Sequence, residues 1–132
     1  MAIQLIYELA VPPTRLREVH RLFSTDYVPA ARERGMTFDG AHITPPIELD
    51  DAPTTLVLQF TLPDADAVWA MKRKVTDSAE VAEFWRRVDA IVVARRRRFL
   101  APYDDSPSGG APGGEAPSGQ SPGGESPHDD GA

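Results

Sequence analysis

The stretch from residue 54 to residue 102 limits what this chain can fold into more than any other part. Its opening, Thr54–Leu62, alternates Leu56, Leu58, Phe60 and Leu62 with Thr55, Val57, Gln59 and Thr61. That period of two marks a strand with one oily face. Pro63 ends the strand, and Asp64 is placed to cap the helical pattern that runs over residues 64–93. Thr76-Asp77-Ser78 divides this helix, and Asp77 with Glu80 three residues on reads as a capping box for the second piece. That piece carries the stripe Val81, Phe84, Trp85, Val88, Ile91 and Val92. After the arginines at 95–98, Phe99 and Leu100 read as a closing strand.

A similar unit comes first. In Ile3–Val11, Ile3, Leu5, Tyr7, Leu9 and Val11 share one face, with Gln4, Ile6, Glu8 and Ala10 on the other. Pro12-Pro13 stops the strand, and Thr14 is available to cap the helix that follows. Leu16, Val19, Phe23, Tyr27 and Ala30 then recur at helical spacing. Pro29 predicts a kink or break over residues 24–28, and Gly35 a stop. Residues 36–44 alternate once more: Met36, Phe38, Gly40, His42 and Thr44 are expected on one face. Pro45-Pro46 ends this strand, and residues 47–53 read as a polar loop.

The order β-α-β-β-α-β with right-handed crossovers predicts a ferredoxin-like α+β sandwich, a four-stranded antiparallel sheet with helices on one face. The strands that each helix joins are expected to lie parallel at its centre. The apolar faces of the first and third strands must meet the helices. The opposite face sets Ile6, Ala10 and Val57 among Gln4, Glu8 and Gln59, which is too apolar for water. Two such faces packed together would bury it, so a homodimer is expected.

Composition divides the chain. Residues 104–132 contain no Val, Ile, Leu, Met, Phe, Trp or Tyr but eight of the ten glycines. Prolines recur every five residues from Pro102, just ahead of that segment, to Pro127. Such a segment cannot bury surface, so one folded domain over residues 1–103 and a disordered, acidic tail are expected. The whole net charge of −6 comes from that tail, and the body is neutral. A neutral body argues against nucleic acid as a partner. With no cysteine there is no disulfide or thiolate site. Neither a secretory signal nor a membrane-spanning apolar run is visible, so a cytoplasmic protein with no membrane partner is expected.

Over nearly all of residues 3–102 the chain resembles the NIPSNAP-like proteins of the dimeric α/β-barrel superfamily. The resemblance rests on the apolar third strand, the aspartate-started and interrupted helix, Phe84-Trp85, and Arg98-Phe99-Leu100-Ala101-Pro102. Some family positions differ. A Glu-x-Arg-x-Tyr pattern in the first strand is here Gln4-Leu5-Ile6-Tyr7-Glu8, and a His and Trp of the third strand correspond to Leu58 and Phe60. A His ahead of the helix proline corresponds to Asp26, in Asp26-Tyr27-Val28-Pro29. The superfamily includes cofactor-free oxygenases, polyketide cyclases, isomerases, haem enzymes and proteins without known activity, so fold does not choose among them.

A pocket between helices and sheet is the natural ligand site of such a fold. Tyr7 lies mid-strand on the inward face, where its phenol orients a ligand or simply bonds a backbone carbonyl. His42, expected beside Phe38, is a candidate general base at the pocket rim or a surface histidine. Asp26 and His20 are candidate supporting groups, with Tyr27, Phe38 and Phe60 as ligand-lining residues. Asp26 and Tyr27 read equally as a local cap where Pro29 disturbs the helix. His20 could also be an axial haem ligand, but nothing else marks a haem site. The arginine run alternates between faces, so it reads as solvated and paired with nearby acids. Trp69 and Trp85 read as core or dimer contacts. There is no phosphate loop, zinc motif or Ser-His-Asp set, and no metal or cofactor is expected. The combined reading is a homodimer binding a small, largely apolar molecule, with cofactor-free oxygenase, cyclase or isomerase chemistry on an aromatic or polyketide-like substrate. The alternative is a non-catalytic binding or assembly protein.

Overall fold

The computed structural model describes residues 1–103. The elements run β1 (Ile3–Val11), α1 (Leu16–Leu22), a π-helical turn (Phe23–Tyr27), α2 (Val28–Glu33), β2 (Thr37–Thr44), β3 (Thr54–Leu62), α3 (Ala65–Thr76), α4 (Ala79–Asp89) and β4 (Ala94–Leu100). The sheet order is β2-β3-β1-β4 and every neighbouring pair is antiparallel. This is the ferredoxin-like α+β arrangement. The strands joined by each crossover are not adjacent at the centre, contrary to the sequence expectation. β3 separates β1 from β2, and β1 separates β3 from β4, because each crossover skips one strand.

The register sorts the central strands into two faces. Leu5, Tyr7, Leu9 and Val11 sit opposite Phe60, Leu58, Leu56 and Thr54, and all are buried in the core. Val19, Phe23, Tyr27 and Ala31 from the first helical unit close over them, with Met71, Phe84, Trp85 and Val88 from the second. Trp85 is core, whereas Trp69 is 60 % exposed and lies outside it. The reverse face carries Gln4, Ile6, Glu8 and Ala10 against Thr61, Gln59, Val57 and Thr55.

Pro29 has no N–H to offer the carbonyl of Thr25, and the helix passes this point by widening into the π-helical turn. Ser24 and Thr25 turn their hydroxyls back to the carbonyls of His20 and Arg21, at 3.0 and 2.8 Å. Gly35, at φ +92°, carries the chain out of α2 as expected.

Four local expectations are corrected. Thr14 does not cap α1: the N-cap is Arg15, without a side-chain cap bond, and Thr14 itself has φ +70°. Ser78 caps α4 by accepting from Val81 N at 3.1 Å, in place of Asp77. Asp64 caps α3 as read, accepting from Ala67 N at 2.9 Å. The helix ends at Asp89 rather than near residue 93, and the last strand takes in all four arginines because their backbones pair with β1 from Leu9 to Ile6.

The fourth correction bears on function. Phe38 pairs with Phe60, but the next paired position is Gly40 with Gln59, so Asp39 is an extra residue in β2. This bulge reverses the alternation. Ahead of it Phe38 faces the helices; beyond it Ala41 and Ile43 do, opposite Leu58 and Leu56. His42 therefore faces away from the helices, opposite Val57, and is exposed. Gly40, at φ +149°, takes the backbone conformation the bulge imposes.

On the same outward face, Arg96 and Arg98 both reach Glu8, at 3.1 and 3.0 Å. Arg95 turns the other way to Asp89 at 2.6 Å. Alternation thus divides the run: Arg95, Arg96 and Arg98 pair with acids, whereas Arg97 is buried, against the solvated reading, with its Cζ 5.4 Å from the centre of the Phe99 ring. The predicted tail, residues 104–132, lies outside the described residues.

Candidate functional site

Tyr7 enters the core from the middle of β1, and Tyr27 comes down on it from the π-helical turn. Their hydroxyls lie 2.7 Å apart, a hydrogen bond in which either can donate. The rings meet edge to face, centroids 5.7 Å apart at 86°. Both residues are nearly closed to solvent, at 3 and 4 % exposure. Trp85 lies 5.0 Å from the Tyr7 ring, and Phe60 stands 6.0 Å from Tyr7 and 5.7 Å from Tyr27. Phe84 lies 5.0 Å from Tyr27, and Phe38 extends the cluster 5.2 Å beyond Phe60. Edge-to-face contacts align the positive ring edge with the negative ring face, so the cluster has preferred geometry as well as buried area.

Burial pushes the Tyr27 hydroxyl well above its ordinary value of 10.0. Its neighbour Tyr7 adds to that rise, while the Arg34 guanidinium acts against it. Tyr27 therefore stays protonated across the physiological range. It can donate a hydrogen bond to an oxygen, but it is not a base.

Of the residues singled out from sequence, Tyr7, Tyr27, Phe60 and Phe38 come together. The other three do not join them. Asp26 is exposed beyond the π-helical turn and pairs with Arg87 at 3.2 Å. His20 and His42 instead line a separate groove of about 420 Å³ at the β2 edge, with Arg17 and Glu48 at its polar margin and Leu16, Ala41, Ile43 and Leu56 beneath. A trough of about 540 Å³ between α1 and the end of α4 is lined by Arg21, Leu22, Arg87 and Ile91, and neither tyrosine lines it or the groove. Its charged groups include Glu18, paired with Arg15, and Arg87, paired with Asp26.

Sequence reading missed Arg34. It follows α2 and folds back so that its Cζ lies 5.3 Å from the centre of the Tyr27 ring. Its position seven residues after Tyr27, two helical turns on, was the available signal. Among the described residues no group of three or more His, Asp or Glu side chains could hold a metal ion. No described helix is long and apolar enough to cross a membrane.

No protein-family model matches the chain, and no curated protein matches it. Solved structures do. A NIPSNAP family protein from Agrobacterium tumefaciens superposes with a TM-score of 0.61 at 15 % identity, over 81 % of this chain and 98 % of that one. A NIPSNAP-like domain protein from Burkholderia xenovorans gives a TM-score of 0.61 at 18 % identity, over 80 % of this chain and 89 % of its own. A second Agrobacterium tumefaciens NIPSNAP family protein, of unknown function, gives 0.60 at 9 % identity over 80 % of this chain. At such identities the likeness speaks for the fold, and in fold this chain is NIPSNAP-like.

Proposed function

We propose that this chain is a homodimeric binding protein for a small, largely apolar organic molecule, whose oxygen meets the Tyr7–Tyr27 hydroxyl pair. The observation that carries this reading is the pair itself, two hydroxyls 2.7 Å apart among Phe23, Phe60, Phe84 and Trp85. Phenylalanine at both positions would fill the same space without the cost of desolvating polar groups. Two hydroxyls bonded to each other use one of their two hydrogens, which leaves one hydrogen and several lone pairs for a third oxygen. The π-helical turn that delivers Tyr27 is the kind of helix irregularity that recurs at functional sites.

The dimer is supported by the reverse face of the sheet. Ile6, Ala10 and Val57 lie on that face, opposite the helix-covered core, and the Glu8 charge beside them is balanced by Arg96 and Arg98. Sedimentation giving a stable monomer at micromolar concentration overturns it.

Were the molecule transformed as well as bound, a neutral Tyr27 suits polarising a carbonyl or phenol, as in cofactor-free oxygenase, cyclase or isomerase chemistry. His42, on the far face of the sheet, is poorly placed to be its base. The close packing of rings around Tyr7 favours a second reading, a non-catalytic assembly protein in which the pair is structural. Native mass spectrometry of protein purified from its own host separates the two. A retained small molecule that disappears in the Tyr7→Phe/Tyr27→Phe variant supports binding at the pair. No retained mass, or one unaffected by the substitutions, favours the structural reading.

A further inference from the structure

His20 and His42, which do not join the tyrosines, come together at the groove of about 420 Å³ along the outer edge of β2. The bulge at Asp39 gives the groove its floor. By reversing the alternation it turns Ala41 and Ile43 toward the helices, where Ala41, a small residue, leaves space against Leu16 of α1. Buried Leu56 from β3 completes the floor, which is aliphatic throughout, and no aromatic ring but the two imidazoles lines the groove. Its volume lies in the range of small-molecule sites, and its exposed margin leaves it open to solvent.

The margin is unbalanced. Arg17, His20 and His42 each offer an N–H donor in either protonation state, while Glu48 is the one acid. None of the four has a hydrogen bond or ion pair among the described residues. The acid next to Arg17 in the chain, Glu18, is already held by Arg15 at 2.8 and 2.9 Å. Arg87, Arg95, Arg96 and Arg98 also have acids of their own, so the Arg17 charge is left over at the groove.

We propose that this groove binds a medium-chain aliphatic monocarboxylate. The hydrocarbon chain lies along Leu16, Ala41, Ile43 and Leu56, and the carboxylate meets Arg17 and the imidazole N–H groups. Glu48 repels a second acid group, which selects ligands with one. The site is separate from the tyrosine pair and stands whether or not a ligand binds there.

Titration of the full-length protein with octanoate, 1-octanol and octylamine, followed by methyl resonances across the protein, tests this. Octanoate is expected to give saturable shifts at Leu16, Ala41 and Ile43. It should bind about threefold to tenfold more tightly than 1-octanol, between an exposed ion pair and a hydrogen bond to a charged group, with octylamine weakest. Arg17→Gln should bring octanoate down to the level of the alcohol and leave the alcohol unchanged. Ala41→Phe should fill the floor and weaken both; should it fail to fold, the exposed Arg17 change still decides the matter. Octanol or octylamine binding as tightly as octanoate overturns the carboxylate assignment, as does full preference for octanoate in Arg17→Gln. No saturable shift at the groove, or undiminished octanoate binding in folded Ala41→Phe, overturns the site. Shifts confined to core methyls such as those of Leu5, Leu58 and Met71 overturn it as well and place the ligand inside the helix–sheet core.

Discussion

Replacing Tyr27 by Phe removes one oxygen and leaves the Tyr7 hydroxyl, in a residue 3 % exposed, without the partner it has at 2.7 Å. A buried hydroxyl stripped of its partner costs about 1–3 kcal/mol. Tyr7→Phe strands the Tyr27 hydroxyl instead, but Arg34 lies against Tyr27 and acts on that hydroxyl, so the loss is expected toward the lower end. Replacing both keeps the ring shapes and leaves no orphaned hydroxyl, and should cost within about 1 kcal/mol of wild type. The two single losses therefore exceed the double loss, with a coupling of about 1–3 kcal/mol. Urea unfolding at fixed protomer concentration reads all four proteins, and unchanged m-values show that compactness is unaltered. Strictly additive losses would refute the argument, because they would mean that the hydroxyls do not depend on each other.

The raised Tyr27 value sets a pH dependence. The folded state holds this proton above the pH at which the unfolded chain releases it, near 10.0, so stability is level below that pH and falls above it until the folded-state value is passed. The slope expected for one proton is about 1.4 kcal/mol per pH unit, measured by urea unfolding between pH 9 and 11, and it should flatten in the Tyr7→Phe/Tyr27→Phe variant. Ser78→Ala should cost about 1 kcal/mol through loss of the α4 cap, whereas Asp77→Ala should cost only a few tenths; equal effects would point to the other cap. Gly40→Val forces a β-branched residue to φ +149° and should lower stability by about 1–3 kcal/mol in thermal unfolding, although the nearest atom to the added Cβ is 3.8 Å away. Glu8→Ala leaves Arg96 and Arg98 unbalanced on the reverse face; it should weaken the proposed dimer in sedimentation yet change protomer stability by about 1 kcal/mol or less, as for an exposed ion pair.

The order of elements was legible because it depends on local periods and on proline. Pro12-Pro13, Pro45-Pro46 and Pro63 close three strands, and Pro29 widens the first helix over Phe23–Tyr27. The inward position of Tyr7 followed from the alternation of β1. The face of His42 did not, because a bulge is a property of two paired strands. Asp39 is an extra residue only in relation to Phe60 and Gln59 across the ladder. The extent of β4 was hidden for a similar reason: an arginine run reads as solvated until β1 supplies its hydrogen bonds.

Taken alone, the amino-acid order determined which segments are strands and helices, which faces of β1 and β3 are oily, and hence a ferredoxin-like sandwich. Tertiary structure decided what meets inside it. Tyr7 and Tyr27 are twenty residues apart in the chain and 2.7 Å apart at their oxygens. Periodicity is written within a few residues. A hydrogen bond between distant side chains depends on how two elements pack, and no short stretch of sequence carries that information.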